Sequence, residues 1–165
     1  MKKIGIVMGS DSDLPVIEKA IKYLQEVGAD FTVNVYSAHR TPDEAIAFAR
    51  NAKNNGYGVL IGAAGMAAHL AGVLAANTTL PVIGIPCKAK ALEGMDALLA
   101  TVMMPPGIPV ATVGIDGAKN AAILACEIIA LTDTALSTRL EEQRQSNTQA
   151  ILEKNARINA EYSSH

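Results

Sequence analysis

The chain has 165 residues and a formal net charge of −2, with half of its residues hydrophobic. That length suits one domain. The charge, with no basic stripe, excludes nucleic-acid binding driven by phosphate neutralisation. No stretch approaches 18 uninterrupted apolar residues, which excludes a membrane-spanning helix. The apolar run in "MKKIGIVMGSDSD" is too short for a secretory signal and is cut by two aspartates, so a cytoplasmic protein is expected. With 28 alanines, 13 glycines, two phenylalanines and no tryptophan, the side chains are small and each buries little area. Such a core gains from further burial between subunits. Cys87 and Cys126 form no CxxC pair and are expected to be buried, reduced thiols.

Residues 3–8, "KIGIVM", read as a buried strand. After "GSDSD", the spacing of Val16, Ile17, Ala20, Ile21 and Leu24 predicts a helix, with Pro15 in its first turn and Gly28 just past its end. "FTVNVY" at 31–36 alternates as a strand does. Thr41, Pro42 and Glu44 spell a capping box that opens a helix running toward Gly56. The alternation then repeats: strands at 58–62, 81–86 and 109–114, and helices at 66–77, 94–102 and 117–131. Five β-α units in succession predict a parallel sheet with helices on both faces and right-handed crossovers. Residues 1–131 therefore read as a single α/β domain. Residues 132–165 are polar with a thin apolar seam, and read as a C-terminal extension of one or two long helices, suited to packing on a neighbouring subunit. Its last residues, "YSSH", are expected to fray, and His165 to carry no function.

Ligands of parallel α/β sheets bind at the carboxyl ends of the strands. Three loops leave such ends with unusual residues. Gly9-Ser10-Asp11-Ser12-Asp13 brings two hydroxyls and two carboxylates to the start of a helix, more than one cap requires. Its hydroxyls can hold a phosphate at the helix N-terminus, and a carboxylate can take sugar hydroxyls. Ser37-Ala38-His39-Arg40-Thr41 offers a guanidinium for phosphate and a histidine. "GAAGMAAHLAG" at 62–72 offers little side-chain bulk, so that its backbone can approach a flat ligand, and carries His69. Two of the three histidines thus fall at the ends of what read as neighbouring strands. Zinc would need a third ligand at a spacing the sequence does not present, so no metal is expected.

Together, "GIVMGSDSD", "YSAHRTP" and "AAHLAG" resemble the 5-(carboxyamino)imidazole ribonucleotide mutases of purine biosynthesis, and the likeness runs from about residue 3 to about residue 131. The resemblance implies a flavodoxin-like three-layer α/β/α subunit, a homo-octamer, no cofactor, and a small ribonucleotide substrate. The substrate's carboxylate would move from its exocyclic nitrogen to carbon 4 of the imidazole. It further implies that His39 is the catalytic histidine and that Ser10, Asp13 and Arg40 bind the nucleotide. Ser12, Ser37 and Ala38 would line the same site. Gly65, His69 and Leu70 would belong to the loop over the imidazole.

The chain departs from the usual pattern at Met66, where relatives have glycine, at Ala71, where they have proline, and at Met103, where they have glutamine. These changes leave the polar groups in place and put the shape of the loop in question. Three alternatives stand beside the mutase. One is a carboxylase that takes free carbon dioxide, a group that tends to have lysine where this chain has Arg40. Another is the related carboxylase of nickel-pincer cofactor assembly, which carries a further N-terminal region. The last is a non-catalytic nucleotide-binding subunit, which would have no use for His39.

Overall fold

A computed structural model describes residues 1–163. Five strands form one parallel sheet: β1 (Lys3–Met8), β2 (Phe31–Val35), β3 (Tyr57–Gly65), β4 (Val82–Cys87) and β5 (Ala111–Thr112). Their order across the sheet is β2-β1-β3-β4-β5. β1 and β4 are almost wholly buried, which is why they read as unbroken apolar runs; the edge strand β2 is only half covered and alternates.

Helices cover both faces. α1 (Leu14–Glu26) and α5 (Ala118–Ala130) pack on one face, where Ile17, Tyr23, Leu24 and Ile129 meet Ile4, Ile6 and Ile61. α2 (Pro42–Ala52) and α3 (Leu70–Ala76) pack on the other with Val7, Leu60 and Val82. α4 (Met95–Val102) lies against β4. This is the expected three-layer α/β/α, flavodoxin-like arrangement. Small residues let the layers close up: a Cβ on Gly62 would stand 2.9 Å from the Ala71 backbone, so β3 and α3 approach closely only because that position is glycine. Gly28, at φ +64, ends α1 as expected.

Several expected boundaries move. β3 runs to Gly65, since Ala63, Ala64 and Gly65 keep pairing with Ile85, Pro86 and Cys87. α3 begins at Leu70 instead of 66, because Met66 takes a left-handed conformation, φ +51, that no helix accepts. β5 has only two residues of the expected 109–114, and Pro109, which has no amide proton to pair, stands outside it. The tail is one helix, α6 (Thr134–Tyr162), capped by the Asp133 carboxylate, which accepts from the Leu136 amide at 3.0 Å. Leu136 is buried and Leu140 touches the core, whereas residues 145–162 are exposed. The helix runs to Tyr162, the first residue of the "YSSH" stretch expected to fray; Ser164 and His165 lie outside the described residues. Among the described residues, no helix is long and apolar enough to cross a membrane.

Candidate active site

The chain reverses direction across the sheet at β1, which has β2 on one side and β3 on the other. Loops leaving a parallel sheet at such a point diverge and leave a crevice. Here the crevice is a cavity of about 510 Å³. Ser10, Ser12 and Asp13 line it from the loop after β1, and Ser37, Ala38, His39 and Arg40 from the loop after β2. Gly65, His69 and Leu70 line it from the end of β3 and the start of α3. All ten residues singled out in the sequence therefore face one space. A larger depression of about 780 Å³ lies at the opposite end of the sheet, around Arg50, Thr78 and Pro109, far from the histidines; both described histidines line the smaller one.

Each loop is shaped by its own polar side chains. Ser10 caps the 3-10 turn Asp11–Asp13: its Oγ accepts from the Ser12 amide at 3.3 Å and from the Ser12 hydroxyl at 2.9 Å. Ser37 does the same after β2, its Oγ accepting from the amides of His39 at 3.3 Å and Arg40 at 3.2 Å. The expected capping box of α2 is not formed. Thr41 Oγ1 instead accepts from the Ser37 amide at 2.8 Å and donates to the Ser37 carbonyl at 3.3 Å. A short-range side-chain bond has outcompeted the helix cap, and it closes the loop that presents His39 and Arg40.

His39 and His69 do not stem from neighbouring strands, because β1 lies between β2 and β3. Their loops nevertheless lean together over its end. His39 Nε2 stands 2.9 Å from His69 Nδ1, and the rings meet edge to face at 82°. Arg40 reaches back over the same strand end and donates to the Gly9 carbonyl at 3.0 Å. It has no acidic partner among the described residues, so its charge is available to an anion. Asp13 is half-buried, and this burial raises its carboxyl above the ordinary aspartate range; the nearby Asp116 and Asp11 charges push the same way, against a lowering bond to the Ser10 backbone.

Two more contributors were missed. Ala64 and Met66 belong to the expected loop, but Lys88 and its neighbour Ala89 enter from the end of β4. Applying the strand-end rule to a fourth strand would have found them. Both cysteines are buried thiols, as expected, and burial pushes Cys87 up to about 12 and Cys126 to about 11. No group of three His, Cys, Asp or Glu side chains among the described residues is placed to hold a metal ion.

Residues 3–150 match the family described as AIR carboxylase. The chain belongs to the AIR carboxylase family. Within that family's range, it is 56% identical over 145 residues to the N5-carboxyaminoimidazole ribonucleotide mutase of Pyrococcus abyssi, covering 88% of this chain and 83% of the relative. It is 55% identical over 142 residues to the mutase of the same name from Methanocaldococcus jannaschii, covering 86% and 88%. Among solved structures, Treponema denticola PurE superposes with a TM-score of 0.86 at 26% identity, covering 98% of this chain and 99% of that one. The AIR carboxylase family membership and the shared fold agree with the resemblance read from the three loops.

Proposed function

We propose that the chain is a cytoplasmic 5-(carboxyamino)imidazole ribonucleotide mutase, moving a carboxylate from the exocyclic nitrogen to carbon 4 of the imidazole. The observation that carries the mechanism is the His39–His69 pair, 2.9 Å apart at the rim of a cavity walled by Ala38, Ala64, Gly65 and Ala67. Arg40 supports the phosphate and Asp13 the ribose hydroxyls, which turns the base toward the histidines. Loss of carbon dioxide breaks the N–C bond and leaves a nitrogen that needs one proton. The aminoimidazole, an enamine, then attacks carbon dioxide through carbon 4, forms the C–C bond and must release one proton. The two demands are equal and opposite. A single imidazole that gives first and takes back second completes the cycle, and this reading gives that role to His39. Small apolar walls give carbon dioxide no polar partner and little room to leave.

Two features favour this reading over the carboxylase that uses free carbon dioxide: Arg40 in place of lysine, and the Ala67-Ala68-His69-Leu70 segment at the rim. The two relatives described above carry the mutase name. The test is to incubate the protein with the carbamate nucleotide and ¹³C-bicarbonate. The expected result is C-carboxylated product with little label. Extensive label, or turnover of the bare aminoimidazole nucleotide at low bicarbonate, would establish the carboxylase instead.

The reading includes a homo-octamer of 17.2 kDa subunits, with residues 132–165 contributing to assembly. In support, α6 exposes Ile151, Leu152 and Ile158, and Leu92, Met95, Leu99 and Met103 are exposed on and around α4. Light scattering reads the mass directly, and a monomer at micromolar concentration would refute it.

A further inference from the structure

Resting on the reading of the site above, we infer that Lys88 is a second anion-recognition group, and that it binds the carboxylate end of the nucleotide while Arg40 holds the phosphate end. Arg40 and Lys88 are the two fixed cations that line the cavity. They enter from β2 and β4, three inter-strand steps apart, or roughly 14 Å across the sheet at the usual strand spacing. A 5′-ribonucleotide with a carboxylate on its base has its two anionic groups at opposite ends as well. Gly65 at the end of β3 pairs with Cys87 at the end of β4, so Lys88 leaves the sheet beside the start of the loop over the base.

The root of Lys88 is fixed and its tip is not. Its amide donates to Asp116 Oδ1 at 2.9 Å. A Cβ on Gly94 would lie 3.2 Å from the Lys88 Cα, so the following turn packs directly against its backbone. The ammonium pairs with the Glu93 carboxylate, and both side chains are more than half exposed. Glu93 is held there by a tight turn in which it takes φ +54 and Gly94 φ +90. An exposed ion pair is worth little and exchanges readily. In the free protein Glu93 occupies the ammonium; a carboxylate entering the cavity displaces it. Lys88 thereby distinguishes carboxylated from uncarboxylated nucleotide, which Arg40 cannot do because both carry the phosphate.

The experiment compares two ligands, the 4-carboxylated product nucleotide and the uncarboxylated aminoimidazole ribonucleotide, by calorimetry on the full chain. Lys88→Met keeps the stem and removes the charge. It is expected to weaken the carboxylated nucleotide about 10-fold while the uncarboxylated one changes less than about twofold, as loss of one charge-assisted contact requires. Lys88→Arg should restore most of the loss, and Glu93→Gln should tighten the carboxylated nucleotide by removing its competitor. Equal weakening of both ligands, or of neither, would overturn the assignment. If Glu93→Gln weakens the carboxylated ligand, the exchange of partners is wrong. If the wild-type chain binds neither nucleotide, the reading of the whole site fails, and Lys88 with it.

Discussion

His39 Nε2 and His69 Nδ1 share one hydrogen bond of 2.9 Å. Such a bond needs one N–H and one lone pair, so one of these two nitrogens bears a proton and the other does not. Protonating both would break the contact and force the rings apart. The contact therefore holds a single proton at the cavity rim, with His39 Nδ1 and His69 Nε2 left to face other partners. His39→Asn is expected to lower turnover by about 10²–10⁴-fold with nucleotide affinity retained. His69→Asn should lower it less, since the role proposed for it is to orient the substrate. Steady-state rates together with product affinity separate the two. A His39→Asn variant with more than about a tenth of wild-type turnover would contradict the assignment, and a dead His69→Asn beside it would exchange the roles.

Arg40 has a carbonyl where an ion pair would have a carboxylate. Its Ala variant should lose about 1.5–3 kcal/mol of nucleotide binding, or about 10- to 150-fold in affinity, with little change in thermal stability. Calorimetry and a melting curve on the same sample check both halves.

Asp13 makes a prediction about pH. Its carboxyl is raised in the fold by burial and by the charges of Asp116 and Asp11. A raised carboxyl disfavours the ionised form in the native state, so it lowers stability at pH values above its folded value. The cost disappears as pH falls through that value and below the unfolded 3.8, where both states are protonated. Asp13→Asn should therefore melt higher than wild type at pH 7 and at the same temperature near pH 3.5, while binding nucleotide less well. An Asn variant that melts lower at pH 7 would show that Asp13 stabilises the fold.

Gly84 tests the closeness of the layers. A Cβ there would stand 2.3 Å from Thr101 Cγ2 and 2.9 Å from Val110 Cγ1. Thr101 cannot turn away freely, since its hydroxyl donates to the Ala97 carbonyl at 2.7 Å. Gly84→Ala should cost about 1–3 kcal/mol in urea unfolding; an unchanged midpoint would mean that α4 can withdraw from β4 without loss.

With Cys87 up to about 12 and Cys126 at about 11, both by burial, thiolate is scarce at pH 8. A disulfide reagent should find no fast-reacting thiol in the native protein and two after denaturation. One fast equivalent in the native state would place a thiol at the surface.

The order of strands and helices was legible because buried parallel strands and amphipathic helices differ in period: "KIGIVM" and "PVIGIP" against the Val16–Leu24 stripe. The site was legible because four Ser and Asp residues crowd one turn, and because His39 and Arg40 stand next to each other at a strand end. Other features depend on geometry that local pattern does not carry. Thr41 had two partners within reach, the α2 amides and Ser37, and only the path of the loop decides between them. The meeting of His39 and His69 requires knowing that β1 separates their strands. Met66 at φ +51 accounts for the glycine usual at this position, since a left-handed residue favours glycine. Lys88 escaped notice because "CKAKALEG" is an ordinary polar turn until its strand is placed two positions from β1.

The residues around the cavity all lie between Gly9 and Ala89. The face of the sheet beneath them is nonetheless closed by α5, residues 118–130, which packs against α1. During synthesis the cavity-lining half of the chain thus emerges from the ribosome with one side of its sheet covered by α1 alone: Ile4, Ile6 and Ile61 wait for Ala121, Ala125 and Ile129 to complete the layer. That interval is one of exposed strand and apolar surface, the state in which nascent chains depend on chaperones. The layer beneath the cavity is therefore completed late, at about the moment α5 clears the exit tunnel, although every lining side chain was translated long before.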